Sequence, residues 1–230
     1  MFSRRRKGQI LTLCVVSFIV YALFNLLAMF LYPGGTSLDK GAQGYSFFEN
    51  FFSDLGMVRT YNGEPKTLSL LLFASALVVI GIAFVLFFVI MPGYFSATRR
   101  GRVSSQLGSI SGVLAGVSCL GIAVTPWDLY LNAHLIFAFG LSASFLLAVV
   151  FYSVAIFANR GYSNTYAAVF AVYLVILAAY LCLMFLGPDM DTREGLVILA
   201  TGQKIAIYSG MICWFIQFLG AFEHHRRHGQ

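Results

Sequence analysis

The chain predicts an all-α fold, a polytopic integral membrane bundle of about six transmembrane helices with a short interfacial helix on the outer side between the first two. Three observations predict it. Of 230 residues, 59% are hydrophobic and only 10% are charged, whereas a soluble domain carries roughly a quarter charged residues. Six apolar runs are long enough to cross about 30 Å of hydrocarbon at about 1.5 Å per helical residue. The basic residues gather at alternate ends of those runs. The runs consume nearly the whole chain, so residues 1–230 read as a single transmembrane domain.

The first run, Ile10–Tyr32, follows Arg4-Arg5-Arg6-Lys7. That basic start has the charge of a secretory signal, but the run ends without a small-residue cleavage pattern, so it reads as a retained helix. The remaining helices are expected near Thr67–Phe95, Gln106–Thr125, Asn132–Ala158, Asn164–Gly187 and Leu196–Phe222. Helix breakers punctuate them: Pro33-Gly34-Gly35, Pro92-Gly93, Pro126 and Gly187-Pro188. Most links are short, which predicts antiparallel packing of sequential neighbours.

The exception is the segment from Pro33 to Lys66. There Phe48, Phe51, Phe52 and Leu55 recur at helical spacing among Glu49, Asn50, Ser53 and Asp54, the pattern of a short helix lying in the interface, with Gly56 as its stop. On the third helix Ser104, Gly108, Gly112 and Gly116 share one face, a surface for close helix contact within the monomer or, alternatively, for a homodimer.

Counting charges on alternate sides gives the orientation. One side takes Arg4 to Lys7, Arg99, Arg100, Arg102, Arg160, Arg226 and Arg227, ten basic residues against the single acid Glu223. The other takes Lys40, Arg59, Lys66 and Arg193 against eight acids, among them Glu49, Asp54, Asp128 and Asp191. Basic residues mark the cytoplasmic face, so both termini are expected in the cytoplasm and the protein in the cell (plasma or inner) membrane. The formal charge of +6 does not make a nucleic-acid binder, because the cations form no aromatic-interleaved patch. Cys14, Cys119, Cys182 and Cys213 all fall inside apolar runs, where neither a disulfide staple nor a paired-cysteine metal site is expected.

Ionisable groups at membrane depth are costly, by about 2.5–3.5 kcal/mol at a helix centre, so each needs an account. Lys204 lies about two turns into the sixth helix. It either snorkels outward or pairs with an acid in a polar pocket. Asp128 in Pro126-Trp127-Asp128 is a loop acid, a helix cap or a partner for that lysine. His134, at the start of the fourth helix, is a hydrogen-bonded structural residue or a base. Asp54 belongs to the same side. The topology therefore allows Asp54, Asp128, His134 and Lys204 to converge on one outer-side polar cluster. No phosphate loop, dinucleotide fingerprint, nucleophile elbow or zinc-protease motif is present, so no cofactor is expected. A zinc site is not expected either, because His224, His225 and His228 lie at the end of the chain opposite His134. Glu223-His-His-Arg-Arg-His reads as a charged membrane anchor attracted to anionic lipid.

In the order and spacing of Ser53-Asp54-Leu55-Gly56, of Gly121 through Pro126 and Asp128 to His134, and of Gly202-Gln203-Lys204, the chain resembles the six-helix membrane family known as domain of unknown function 998. More distantly it is similar to the DRAM/Frag/Sfk group. The family tends to carry arginine near Lys204, so the lysine departs from a pattern suited to bidentate anion binding. The resemblance implies lipid-related work in the outer half of the bilayer and carries no catalytic mechanism.

Three readings of function follow. In the first, the protein is lipid-associated and not evidently catalytic, its polar cluster binding a head group from membrane lipids or stabilising the bundle. In the second it is a membrane-embedded lipid hydrolase or transferase, with His134 as base and Asp128 orienting it. In the third it is an accessory subunit with a protein partner in a larger membrane complex. A transporter is disfavoured, because matching halves with Gly/Pro-interrupted mid-membrane segments are lacking.

Overall fold

The computed structural model describes residues 2–227. It contains six long helices: α1 (Arg4–Phe30), α2 (Thr67–Ile90), α3 (Arg99–Val124), α4 (Trp127–Phe157), α5 (Thr165–Leu186) and α6 (Arg193–Arg227). All six are long and apolar enough to cross a membrane. Among the described residues there is no strand, only the isolated bridges Gly34–Gln43 and Arg59–Pro65.

Several helices outrun their apolar segments. Arginine, lysine and glutamine are good helix formers, so α1, α3 and α6 continue through polar sequence that a hydropathy criterion does not see. The start of α3 is fixed by Thr98, whose hydroxyl accepts from the Gly101 amide at 3.0 Å. At the start of α4, Tyr130 has φ −131° and ψ 50°, so its first turn is offset from the rest by a kink. The regular part therefore begins close to the expected Asn132.

Consecutive helices pack side by side in chain order, and α6 returns against α1 to close the ring. Cross-helix neighbours give the directions. Gly81 meets Gly116, Gly108 meets Tyr152, and Gly210 meets Tyr173. Phe18 stacks on Phe215 at 4.8 Å between ring centroids, and Gly8 lies against His225. Each of these helix pairs runs antiparallel, which brings both termini to one end. That end carries the basic residues, and the opposite end carries most of the acids.

The middle of the bundle is an aromatic core. Phe84 of α2 meets Phe145 at 4.9 Å, Trp214 at 5.5 Å and Phe218 at 5.6 Å, so α2, α4 and α6 interlock at one point. The small residues of α3 serve this packing within the monomer. A Cβ on Gly112 would sit 2.2 Å from the Phe88 ring, and one on Gly116 would sit 2.8 Å from the Gly81 carbonyl oxygen.

The short outer helix between α1 and α2 is a 3-10 turn, Phe52–Gly56. It is shorter than its periodicity suggests, and it packs inward: Phe52 and Leu55 are buried, whereas Phe48 is exposed. Burial follows from its neighbours, since the turn rests on α2, α4 and α6. Gly34 and Gly35 shape the approach with φ of 145° and 87°, and a Cβ on Gly34 would stand 2.3 Å from the Ala42 oxygen. Residues 31–66 thus form a cap over the acidic end of the bundle.

Gly112→Leu is expected to lower stability by about 1–3 kcal/mol or to block folding through overpacking against Phe88. Ile110→Ala, on the exposed side of the same helix, should leave the unfolding midpoint unchanged. Thermal unfolding of both variants in detergent checks the pair.

Candidate functional site: a capped cavity at the acidic end

The cap is held down by a knot of buried polar groups centred on Asn50, which has no exposed surface. Its side-chain oxygen accepts from the Ser46 amide at 2.9 Å. Its Nδ2 donates to the Gly35 carbonyl and to Asp54 Oδ2, each at 3.0 Å. Its main-chain oxygen accepts from Lys204 Nζ of α6. Asp54, 1% exposed, also accepts from the Phe51 amide at 3.0 Å and from the Tyr61 hydroxyl at 3.3 Å.

Lys204 is buried and faces the bundle interior. Its ammonium lies between the rings of Tyr45 and Phe47, 5.4 and 5.2 Å from their centroids. Among the described residues no carboxylate lies within ion-pairing distance of it. Lys204 and Asp54 are joined through Asn50 instead. Next to Lys204, Gln203 Oε1 accepts from the Phe52 amide at 2.6 Å, so two consecutive residues of α6 grip the cap.

Asp128 is engaged elsewhere on the cap. Its carboxylate accepts from the amides of Val58 and Arg59 at 3.0–3.1 Å, which pins the descending part of the cap to the start of α4. His134 is bound neither to Asp128 nor to Lys204. Its Nδ1 lies 2.8 Å from the Thr125 carbonyl oxygen, and because a carbonyl only accepts, Nδ1 carries the proton. The four residues therefore share the acidic end, but the hydrogen bonds sort them into Asp54 with Lys204, Asp128 with the loop amides, and His134 with the α3–α4 corner.

Three participants were not singled out by sequence reasoning. Asn50 looked like one polar residue among aromatics, and Gln203 like part of a short motif. Lys66 enters the sequence reading only as one of the four basic residues of the outer side. It is 3% exposed, with Nζ donating to the Leu55 carbonyl at 2.6 Å and standing 5.2 Å from the Tyr32 ring centroid. Its position directly before a long apolar run was the available signal.

Burial raises the Asp54 carboxyl from 3.8 to about 6, against the opposing pull of its donors and of Lys66. Burial lowers the Lys66 amine to about 7, against the attraction of Asp54 and Asp128.

Beneath the cap lies a cavity of about 470 Å³, within the range of small-molecule sites. Asp54, Tyr61, Trp127, His134, Tyr180 and Gln203 give it polar atoms, and leucines, phenylalanines, isoleucines and methionines form most of its wall. A second cavity of about 120 Å³ continues toward the bundle centre and ends against Phe84, Phe145 and Trp214. The two share Tyr21, Leu77, Leu141, Ser142, Tyr180 and Ile207 in their walls, so polar and apolar ends form one path. Among the described residues no group of three or more metal-ligating side chains occurs. His228 lies outside the described residues.

Compared with known proteins, the chain matches no family model, no curated protein and no solved structure.

Two outcomes test the knot. Lys204→Leu leaves the buried Asn50 carbonyl with only the long bond from the Tyr45 hydroxyl, 3.4 Å, and should cost about 1–3 kcal/mol, more than Lys204→Arg does, as read by thermal unfolding. The Asp54 carboxyl binds its proton more tightly folded than unfolded, so its contribution to stability is complete below pH 4 and is lost as pH rises to about 6. The stability of wild type relative to Asp54→Asn should therefore fall across that window and stay level above it, as measured by denaturation between pH 3.5 and 7.5.

Proposed function

We propose that this integral membrane protein is lipid-associated and binds an amphiphile in the outer half of the bilayer, beneath the cap. The observation that carries the reading is the single path from polar atoms at the acidic end to an apolar pocket at the bundle centre. A lipid has that same order, head group then tail, and a site within a spanning bundle meets lipid before any soluble ligand. The acidic end is outward because ten basic residues sit at the other. The resemblance carried by Ser53–Gly56 and Gly202–Lys204 points to the same side of the membrane and to lipid. Phe52 and Asn50, just before the first segment, are bonded to Gln203 and Lys204 of the second.

A second reading has one observation in its favour. His134 lines the cavity, and its Nδ1 is fixed on the Thr125 carbonyl, which leaves Nε2 as the acceptor nitrogen of the neutral ring. That is the arrangement of a general base, with a backbone carbonyl in the orienting role considered for Asp128. On this reading the bound amphiphile is a substrate for hydrolysis or transfer.

Native mass spectrometry of gently solubilised protein decides among the readings. A retained lipid of native mass is expected. Retention of cleaved lipid by wild type but of intact lipid by His134→Gln would favour the enzyme. An empty protein with a stoichiometric polypeptide partner would replace the proposal with the accessory-subunit reading. Orientation is read independently by cysteines placed at the exposed positions Arg100 and Asn62 in a background lacking Cys182. An impermeant reagent on intact cells should label the second and spare the first.

A further inference from the structure

We infer that the occupant of this cavity is an uncharged, single-chain amphiphile whose head offers a hydroxyl donor, drawn sideways from the bilayer. The inference rests on the amphiphile-binding reading and specifies its ligand.

Charge makes the first selection. The cavity wall holds two carboxylates, Asp54 and Asp191, and no lysine or arginine. The two nearby ammonium groups are turned away, Lys204 to the Asn50 carbonyl and Lys66 to the Leu55 carbonyl. A phosphate or carboxylate head would lose its water beside the buried Asp54 with no cation in the wall to offset the loss. A cationic head is not called for either. Both Asp54 oxygens are occupied by three donors from the cap itself, and Asp191 sits at the exposed rim.

Hydrogen-bond bookkeeping makes the second selection. With the Nδ1 proton of His134 committed to Thr125, Nε2 is an acceptor for a ligand hydroxyl. One hydroxyl, as in a monoacylglycerol, satisfies it.

Shape makes the third. The apolar extension is only about 120 Å³, too narrow for two chains side by side, and Ser142 and Leu141 line its junction with the main cavity. Entry is lateral. Leu131, Leu135 and Met190 line the cavity and are also 38–50% exposed on the outside of the bundle, so the wall of α4 near its start opens onto the surrounding lipid.

The protein carries two tryptophans, and they mark the two ends of the path: Trp127 at the polar end and Trp214 at the apolar tip. The experiment titrates the full chain in nanodiscs with a monoacylglycerol brominated near its methyl end, reading tryptophan emission. Saturable quenching of Trp214 is expected, reversed by unbrominated monoacylglycerol but not by a lysophosphatidic acid or an alkyl trimethylammonium of equal chain length. In His134→Phe the same Trp214 quenching should require about fivefold more ligand, the effect of one hydrogen bond. Ser142→Phe, which fills the junction, should abolish it while leaving the unfolding midpoint near wild type. Competition by either charged amphiphile as strong as by monoacylglycerol overturns the uncharged head and leaves the amphiphile-binding reading standing. An unshifted His134→Phe titration overturns the assigned head contact, and quenching that persists in Ser142→Phe overturns the tail path. Unsaturable quenching by all three classes overturns this inference and the amphiphile-binding reading together.

Discussion

A lysine ammonium taken from water into an apolar bundle must be given oxygen to bind, and the whole acidic end of this protein is arranged around that demand. Lys204 meets it with the main chain of the cap at Asn50 and with two aromatic faces. A carboxylate in direct contact is the more familiar solution, but it would remove two ions from water at once, and the attraction gained often fails to repay the loss. Here Asp54 stands one residue removed, with Asn50 between them as a neutral relay. The charges still attract, and each is solvated by dipoles of its own.

From this arrangement the cavity follows. The stretch of cap that receives Lys204 at Asn50 and Gln203 at Phe52 is held above the bundle by polar contacts rather than by filling the space below it. Asp128 extends the same tactic to the other arm of the cap by accepting two backbone amides at the start of α4. A roof secured at its edges by hydrogen bonds leaves the interior beneath it open. At the bundle centre the opposite rule applies: Phe84, Phe145, Trp214 and Phe218 interlock, and α3 comes close enough through its glycines to leave only a narrow extension. One molecule thus contains a loose polar end and a dense apolar middle, with α6 passing through both.

The six spans and their breakers were legible in the sequence, because the hydrocarbon imposes a length and a composition on every crossing. The burial of Lys204 was one of two readings, and it could be weighed because a cation so far from a helix end has limited reach to water. The partners were not legible. Asn50 is a common polar residue in a loop, and nothing local tells that its carbonyl meets a side chain 154 positions later. Asp128 and His134 share a sequence neighbourhood and an end of the bundle, yet the kink at Tyr130 and the corner at Thr125 give them different partners. Periodicity at Phe48–Leu55 correctly marked a short helix but suggested a surface one. A helical spacing of aromatics states that one face is apolar, not whether lipid or protein covers it.

The contacts that secure the cap also set an order of events during synthesis. Phe52 and Asn50 lie between the first and second helices, whereas Gln203 and Lys204 lie in the last, separations of 151 and 154 residues. Until α6 enters the membrane, the segment bearing Asp54 lacks the clamp of Gln203 and Lys204 and one side of its wall, so the cap is the final part of the molecule to be completed. A chain interrupted before α6 therefore exposes an aromatic loop carrying a carboxylate, a surface by which an unfinished protein differs visibly from a finished one.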